Sequence, residues 1–225
     1  MIAQNLESLA GAKIFSSLDA ASAYHAVEID ESSRPYTAFV TPRGLYQFRR
    51  MPFGLANSPA IFCRLVQMAL DRLPAGIALG YLDDILVVGQ DVESHLNNLR
   101  KVVELHKSVG LKLNIPKCDL FKSEVEYLGH KVGEHGIRMV DRFVQRIRDW
   151  PIPTTGGELR SFLGFVNYYR AFIPKFTELT CGLNKLRTSA GKITLTEEQL
   201  TCINKLKAEF EGPHLRAYPD FETDS

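Results

Sequence analysis

The chain has 225 residues, enough to bury a sizeable core in one or two domains. Its 45% hydrophobic and 24% charged content are those of an ordinary soluble globular protein. No apolar run approaches the roughly 18 residues of a membrane helix, no basic-then-apolar leader opens the chain, and four scattered cysteines (Cys63, Cys118, Cys181, Cys202) exclude a zinc ribbon or disulfide scaffold. These features predict a protein with no membrane partner, kept in a reducing intracellular compartment, cytoplasm or nucleus.

In chain order, Met1 to Gly11 is a polar lead-in, and Ile14 to Leu18 reads as a buried strand ending at Asp19. A short turn or helix over Ala20 to His25 precedes an extended Val27-Glu28-Ile29. Tyr36 to Val40 and Leu45 to Phe48 flank Thr41-Pro42-Arg43-Gly44, a hairpin by its Pro and Gly. Ser58 before Pro59 predicts a capped helix to about Leu73, with Ile61, Leu65 and Met68 on its apolar face. Two β-branched, apolar arms then enclose Asp83-Asp84 between Ile77 and Gly89, a buried hairpin with acids at its tip. Asp91 opens a helix with Leu96, Leu99, Val103 and His106 in register, stopped by Gly110. A second hairpin spans Val125 to Val140 around Gly133-Glu134-His135-Gly136.

Beyond that the period turns helical. Val140, Phe143, Val144, Ile147 and Trp150 recur at helix spacing until Pro151 and Pro153. Thr155 and Glu158 form a capping box for a helix that buries Leu159, Phe162, Leu163, Val166 and Tyr169. Further helices are predicted over 176–186 and 197–210. The switch of period predicts an α+β domain followed by a helical one. Net charge is +1 overall, but residues 141–192 carry +5 and residues 193–225 carry −4. A basic module beside an acidic tail is compatible with polyanion binding, and equally with solvated helix faces.

Asp83-Asp84 has two readings, a solvated turn or a carboxylate pair for divalent cations that needs a third acid. Strand-end Asp19 is available as that acid. Two hard cations held about 3.5–4 Å apart by such carboxylates clamp the attacking and leaving oxygens of phosphoryl transfer, and Mg²⁺ suits a site that leaves its shell open to phosphate and water. His130 and His135, on a glycine-rich hairpin with no third ligand nearby, read as surface imidazoles.

Tyr81-Leu82-Asp83-Asp84 resembles the Y-x-D-D box of reverse transcriptases, and Phe15 to Asp19 with Tyr24 resembles their first catalytic block. Met51-Pro52-Phe53-Gly54-Leu55-Ala56-Asn57-Ser58-Pro59-Ala60 resembles the block lining their nucleotide pocket. Tyr127-Leu128-Gly129-His130 is similar to the primer-grip hairpin, and Glu158 to Arg170 to the thumb helix of gypsy-type long-terminal-repeat retrotransposons. The likeness is collinear over roughly residues 8–222. It implies a right-hand polymerase: a palm with a remnant of fingers and the primer-grip hairpin over 1–138, a helical thumb over 139–192, and over 193–225 the start of a connection towards a ribonuclease H domain.

The resemblance further implies RNA-directed DNA polymerase activity on an RNA or DNA template with primer, using deoxynucleoside triphosphates and two Mg²⁺ ions (or Mn²⁺). Asp19, Asp83 and Asp84 become the catalytic, metal-binding acids. Tyr24 takes the place of the ring that excludes a ribose 2′-hydroxyl, although a tyrosine at that position also reads as core. Phe53 stands where gypsy-type enzymes carry phenylalanine. Gly54 and Tyr81 fall beside the nucleotide. Leu128, Gly129 and His130 are implied at the primer, and Arg160, Gly164, Asn167 and Tyr168, on one helix face, at the duplex. Ala20 and Ala23 depart from the family's usual leucine and glycine. The fingers segment that precedes this region in the family is largely absent, so a fragment truncated at both ends is expected, either catalytic or a remnant that only binds nucleic acid. Oligomeric state is left open.

Overall fold

The computed structural model describes residues 9–21, 23–189, 191–210 and 215–216. They divide into two units, one holding the described residues to Leu128 with Val132–Glu134, the other holding Gly129–Lys131 and the described residues from His135 onward. In chain order the first unit contains β1 (Ile14–Ala21), β2 (Phe39–Thr41), β3 (Gly44–Tyr46), α1 (Ser58–Leu70), β4 (Ala78–Tyr81), β5 (Asp84–Gly89), α2 (Val92–Ser108), β6 (Lys112–Leu113), β7 (Asp119–Lys122) and β8 (Glu124–Tyr127). β9 (His130–Gly133) spans the stretch where the chain changes unit. The second unit continues with β10 (Gly136–Met139), α3 (Asp141–Arg148), α4 (Gly156–Tyr168), α5 (Phe176–Asn184), α6 (Glu197–Ala208) and β11 (Leu215–Arg216). Among the described residues no helix is long and apolar enough to cross a membrane.

β1 is the spine of the first unit. It runs antiparallel to β5 from Ile14 opposite Gly89 to Asp19 opposite Asp84, and β4 adds to the far edge of β5. Contrary to expectation the strand does not end at Asp19. Ala20 and Ala21 continue it, because they pair with Leu113 and Lys112 of β6. α1 and α2 pack on the sheet through Phe62, Val66, Val102 and Leu105 against Ile85 and Val87. Glycine sets how closely they approach. A Cβ on Gly80 would lie 2.6 Å from Leu70 Cδ1, and one on Gly89 would lie 2.6 Å from the His95 backbone.

Two helix faces differ from the periodic reading. α1 buries Phe62, Val66, Ala69 and Leu70, whereas Met68 is 58% exposed and Ile61 also faces out. α2 buries His95, Val102, Leu105 and His106, and leaves Leu96 47% exposed. Each helix carries two apolar stripes, so spacing alone does not choose between them; the larger Phe62 and the glycine-limited contact of His95 do. Ser58 is not the cap of α1. Asn57 occupies that position, and the buried Ser58 hydroxyl donates to the Pro52 carbonyl at 3.3 Å. α2 starts as its sequence requires, with an Asp91–Ser94 capping box, the Ser94 N–H donating to Asp91 Oδ1 at 2.7 Å.

The second unit packs α3 to α6 around Ile147, Leu159, Phe162, Val166, Leu183 and Ile203, all fully buried. Thr155 caps α4, accepting from Glu158 N–H at 3.2 Å. The reciprocal arm is displaced by one residue, since the Glu158 carboxylate accepts from Thr154 N–H at 2.8 Å. α6 closes a full box between Thr196 and Gln199.

Candidate active site and nucleic-acid face

The acids meet through backbone register. β4 and β5 are joined by a two-residue turn, Leu82-Asp83, in which Leu82 holds a φ of 52°. That left-handed conformation is uncommon outside glycine and marks a strained turn. Asp84 stands opposite Asp19, the Ala20 N–H donates to the Asp83 carbonyl at 2.8 Å, and the Asn114 N–H donates to the Asp19 carbonyl at 2.9 Å. Tyr127 of β8 is buried beneath the hairpin, its hydroxyl within 3.4 Å of the Leu79 and Asp84 carbonyls. Burial, then the Asp84 charge, pushes its phenol far above the ordinary value, so it serves as a neutral donor.

Electrostatically the acids outweigh the one cation described beside them, Lys117. Burial, then the Asp19 charge, raises the Asp83 carboxyl above the usual range, and Asp84 is raised by burial, Asp19 and Asp83 in that order. Lys117 lowers both, and its Nζ lies 3.9 Å from Asp19 Oδ2. Asp83 Oδ1 is buried without a hydrogen-bond partner. An orphaned carboxylate oxygen among three mutually repelling acids is the donor set a hard divalent cation fits. Among the described residues no trio of His, Cys, Asp or Glu side chains closes into a ready-made metal cage. The three acids therefore share one end of the sheet without forming a finished coordination sphere.

Beside the acids, Tyr24 sits on a short 3₁₀ turn with its ring edge-on to Phe53 at 5.2 Å and to Phe62 at 5.6 Å. Burial, then the Asp83 charge, raises its phenol, which places the ring within the field of the acid turn. Phe53 is mostly exposed, and Gly54 turns the chain with φ 92°, nothing lying within 4 Å of a Cβ there. Tyr81 ends β4 opposite Asp84 and is also exposed. Tyr24 thus stands in contact with Phe53 and within the field of Asp83.

Four contributors were not singled out in the sequence: Lys117, Ser16, His95 and the tyrosine hydroxyl of residue 127. Ser16 and His95 are both fully buried, Ser16 Oγ lying 2.7 Å from His95 Nε2. Ser16 Oγ also accepts the Phe121 N–H at 3.1 Å, where the β1–β7 register slips and Phe121 takes a φ of 53°. The hydroxyl oxygen thus bridges the strand backbone and the imidazole, with one lone pair taken by the Phe121 N–H. Burial lowers the His95 pKa below the usual imidazole value. The readable signal was a serine on the inward face of an otherwise apolar strand.

In the second unit His130 is 6% exposed, which corrects its reading as a surface imidazole. Its ring lies 5.4 Å from those of Tyr168 and Tyr169 and 5.7 Å from Phe172. Aromatic neighbours on α4 and the turn after it recruit the side chain that hairpin composition assigned to solvent. His135 is exposed. Leu128 and Gly129 are both left-handed (φ 48° and 71°), and the Tyr169 hydroxyl donates to the Gly129 carbonyl at 2.9 Å. Arg160, Gly164, Asn167 and Tyr168 share the exposed face of α4. Arg160, however, donates through Nε and Nη2 to the Arg187 carbonyl at 3.2 and 2.8 Å, fastening a turn of its own unit.

The sequence profile of the family described as reverse transcriptase (RNA-dependent DNA polymerase) matches residues 2–132. The retrovirus-related Pol polyprotein from transposon 412 of Drosophila melanogaster is 36% identical over 97% of this chain and 18% of its own length. The Tf2-3 transposon polyprotein of Schizosaccharomyces pombe is 31% identical over 98% of this chain and 17% of its own. The chain thus spans about one fifth of these curated relatives. A foamy viral protease-reverse transcriptase in complex with an RNA/DNA hybrid superposes with a TM-score of 0.84 at 28% identity, covering 97% of this chain and 30% of that one. The foamy viral enzyme in complex with double-stranded DNA gives a TM-score of 0.85 at 28% identity, covering 99% and 47%.

Proposed function

Because this chain belongs to the reverse transcriptase family, we propose that it carries the palm and thumb of an RNA-directed DNA polymerase from a gypsy-like retrotransposon polyprotein, adding deoxynucleotides to a primer 3′-hydroxyl. We assign residues 1–138 to the palm with its primer-grip hairpin, 139–192 to the thumb and 193–225 to the start of a connection. The reading rests chiefly on Asp19 and Asp84 in register with Asp83 at the turn between β4 and β5, one of its oxygens buried and unpaired.

In this reading Asp19 and Asp83 are the metal ligands and Asp84 the third acid. Two Mg²⁺ ions bound there, or Mn²⁺, would supply the charge neutralisation that phosphoryl transfer requires. The chain's own residues hold everything else in position. Register pins Asp19 against the turn, and the Tyr127 hydroxyl holds the turn's backbone from below. Tyr24, braced by Phe53 and Phe62, offers a wall where a ribose 2′-hydroxyl would project. Phe53, Gly54 and Tyr81 flank the deoxynucleoside triphosphate, and the Lys117 ammonium offsets negative charge beside Asp19. Leu128, Gly129 and His130 approach the primer, while Gly164, Asn167 and Tyr168, with Arg160 at their edge, face the duplex. The foamy viral enzymes solved with hybrid and with double-stranded DNA support a template–primer as partner. Four free thiols support placement inside the cell.

The test is template-primed deoxynucleotide incorporation with Mg²⁺. Asp83→Asn is expected to reduce it by about 10³-fold, the scale of several kcal/mol of charge stabilisation. Incorporation that survives this change would sink the assignment of the acids. Duplex binding without any incorporation would instead support a remnant that only binds.

A further inference from the structure

β7 carries one residue too many for its pairing with β1. Phe15 stands opposite Lys122 and Ser17 opposite Asp119, so two steps along β1 face three along β7. The excess is absorbed at Phe121, whose φ of 53° is a left-handed conformation that a bulky residue adopts only under constraint. That constraint comes from two side chains. Ser16 Oγ accepts the Phe121 N–H at 3.1 Å and lies 2.7 Å from His95 Nε2, and the His95 ring meets the Phe121 ring edge-on at 4.9 Å. The His95 backbone is packed so close to Gly89 that a Cβ there would lie 2.6 Å from it, and Asn98 Nδ2 donates to the Val88 carbonyl at 2.8 Å, which fixes α2 on β5. A buried serine and a buried histidine thus hold a bulge whose amide would otherwise be left unpaired.

The bulge governs the stretch of chain just before it. The 3₁₀ turn Ile115–Lys117, between β6 and β7, is strung from two points of β1. The Asn114 N–H donates to the Asp19 carbonyl at 2.9 Å, and Asp119 stands opposite Ser17. Within that span Lys117 Nζ lies 3.9 Å from Asp19 Oδ2. Losing the bulge would slip the Asp119 end by one residue, about 3.3 Å along β1, and turn its side chains to the opposite face. A slip of that size is close to the whole Lys117–Asp19 separation. We propose that Ser16 and His95 are positioning residues that hold the β7 bulge and, through it, the Lys117 ammonium beside the acids. This rests on the reading of Asp19, Asp83 and Asp84 as a divalent-cation site. It adds what sets the counter-charge that such a cation meets.

The experiment measures Mn²⁺ binding by the whole chain, from the electron spin resonance of the free ion, for the unaltered protein, Ser16→Ala, Lys117→Ala and the two changes together. An ammonium a few ångströms away repels a dication, so Lys117→Ala is expected to tighten Mn²⁺ binding by about fivefold. Ser16→Ala is expected to tighten it by about threefold, and the double variant to bind no tighter than Lys117→Ala alone, because both changes act through one ammonium. A serine that merely supported the fold would have the opposite sign, since its loss would spoil the register of the acids and loosen the ion. Hydrogen exchange at the Phe121 amide is expected to quicken by about tenfold or more in Ser16→Ala. If Ser16→Ala fails to fold, His95→Leu repeats the test from the other partner. Unchanged or weaker Mn²⁺ binding in the folded variant, or effects that add in the double variant, overturns the positioning role and leaves the acid site standing. No Mn²⁺ binding by the unaltered chain overturns both.

Discussion

The two units handle buried polarity in opposite ways. Among the described residues, every buried side-chain atom without a partner (Asp83 Oδ1, His95 Nδ1 and His106 Nε2) lies in the first unit. In the second, buried Thr180 donates to the Phe176 carbonyl at 2.9 Å and Tyr169 to that of Gly129. Unpaired buried groups lower stability unless a ligand completes them. The contrast teaches that, among the described residues, the first unit leaves an acid oxygen and two imidazole nitrogens buried and unpaired, while the second pairs its buried polar side-chain atoms.

The largest expected effect tests the second unit. Phe162→Ala, at a fully buried ring of α4, should destabilise the second unit by roughly 3–5 kcal/mol while the Ala20 amide of the first keeps its exchange protection. Equal loss of protection in both units would mean that they unfold as one and that the contrast is only local. Hydrogen exchange with denaturant titration reads both.

A middle effect concerns the histidines. Burial holds both His95 and His106 below the usual imidazole pKa. The unfolded chain therefore binds protons first as pH falls. Stability is fully present above about 6.5 and declines below it, towards the lowered folded values. Each group accounts for at most about 1.4 kcal/mol per pH unit. His95→Gln, which can still accept from Ser16, should remove part of that decline. A decline identical in the variant would assign it to His106 and not His95, since carboxyls raised by folding bind protons more tightly in the folded chain and oppose the decline.

The smallest effect sharpens the difference between the helix stripes. Met68→Gln, on the outward stripe of α1, should change stability by no more than about 0.5 kcal/mol. A loss of several times that would place this stripe under cover in solution.

The meeting of the three acids at one end of the sheet was legible because the strands that carry them are marked locally. Asp83-Asp84 sits in a short hairpin whose arms declare themselves by β-branching, and Asp19 ends a recognisable run. Register alone then brings the three together. What could not be read depended on neighbours distant in sequence. Ile61, Leu65 and Met68 form as good a stripe as Phe62, Val66 and Ala69, and only the sheet decides between them. His130 is buried by rings nearly forty residues later. Lys117 reaches Asp19 because Asn114 binds the Asp19 carbonyl, a contact with no motif of its own.

Gly80 and Gly89 bracket the acid hairpin, one on each of its strands. At both, even a methyl group would collide with a packed helix at 2.6 Å. Sequence drift therefore meets a step at both positions, steeper at Gly89, where alanine, the smallest step away from glycine, already wedges against helix backbone. The stretch between them can change only under a constraint of thickness. A lineage that loses Gly89 must move helix backbone at His95, whereas one that loses Gly80 must repack the Leu70 and Val66 side chains.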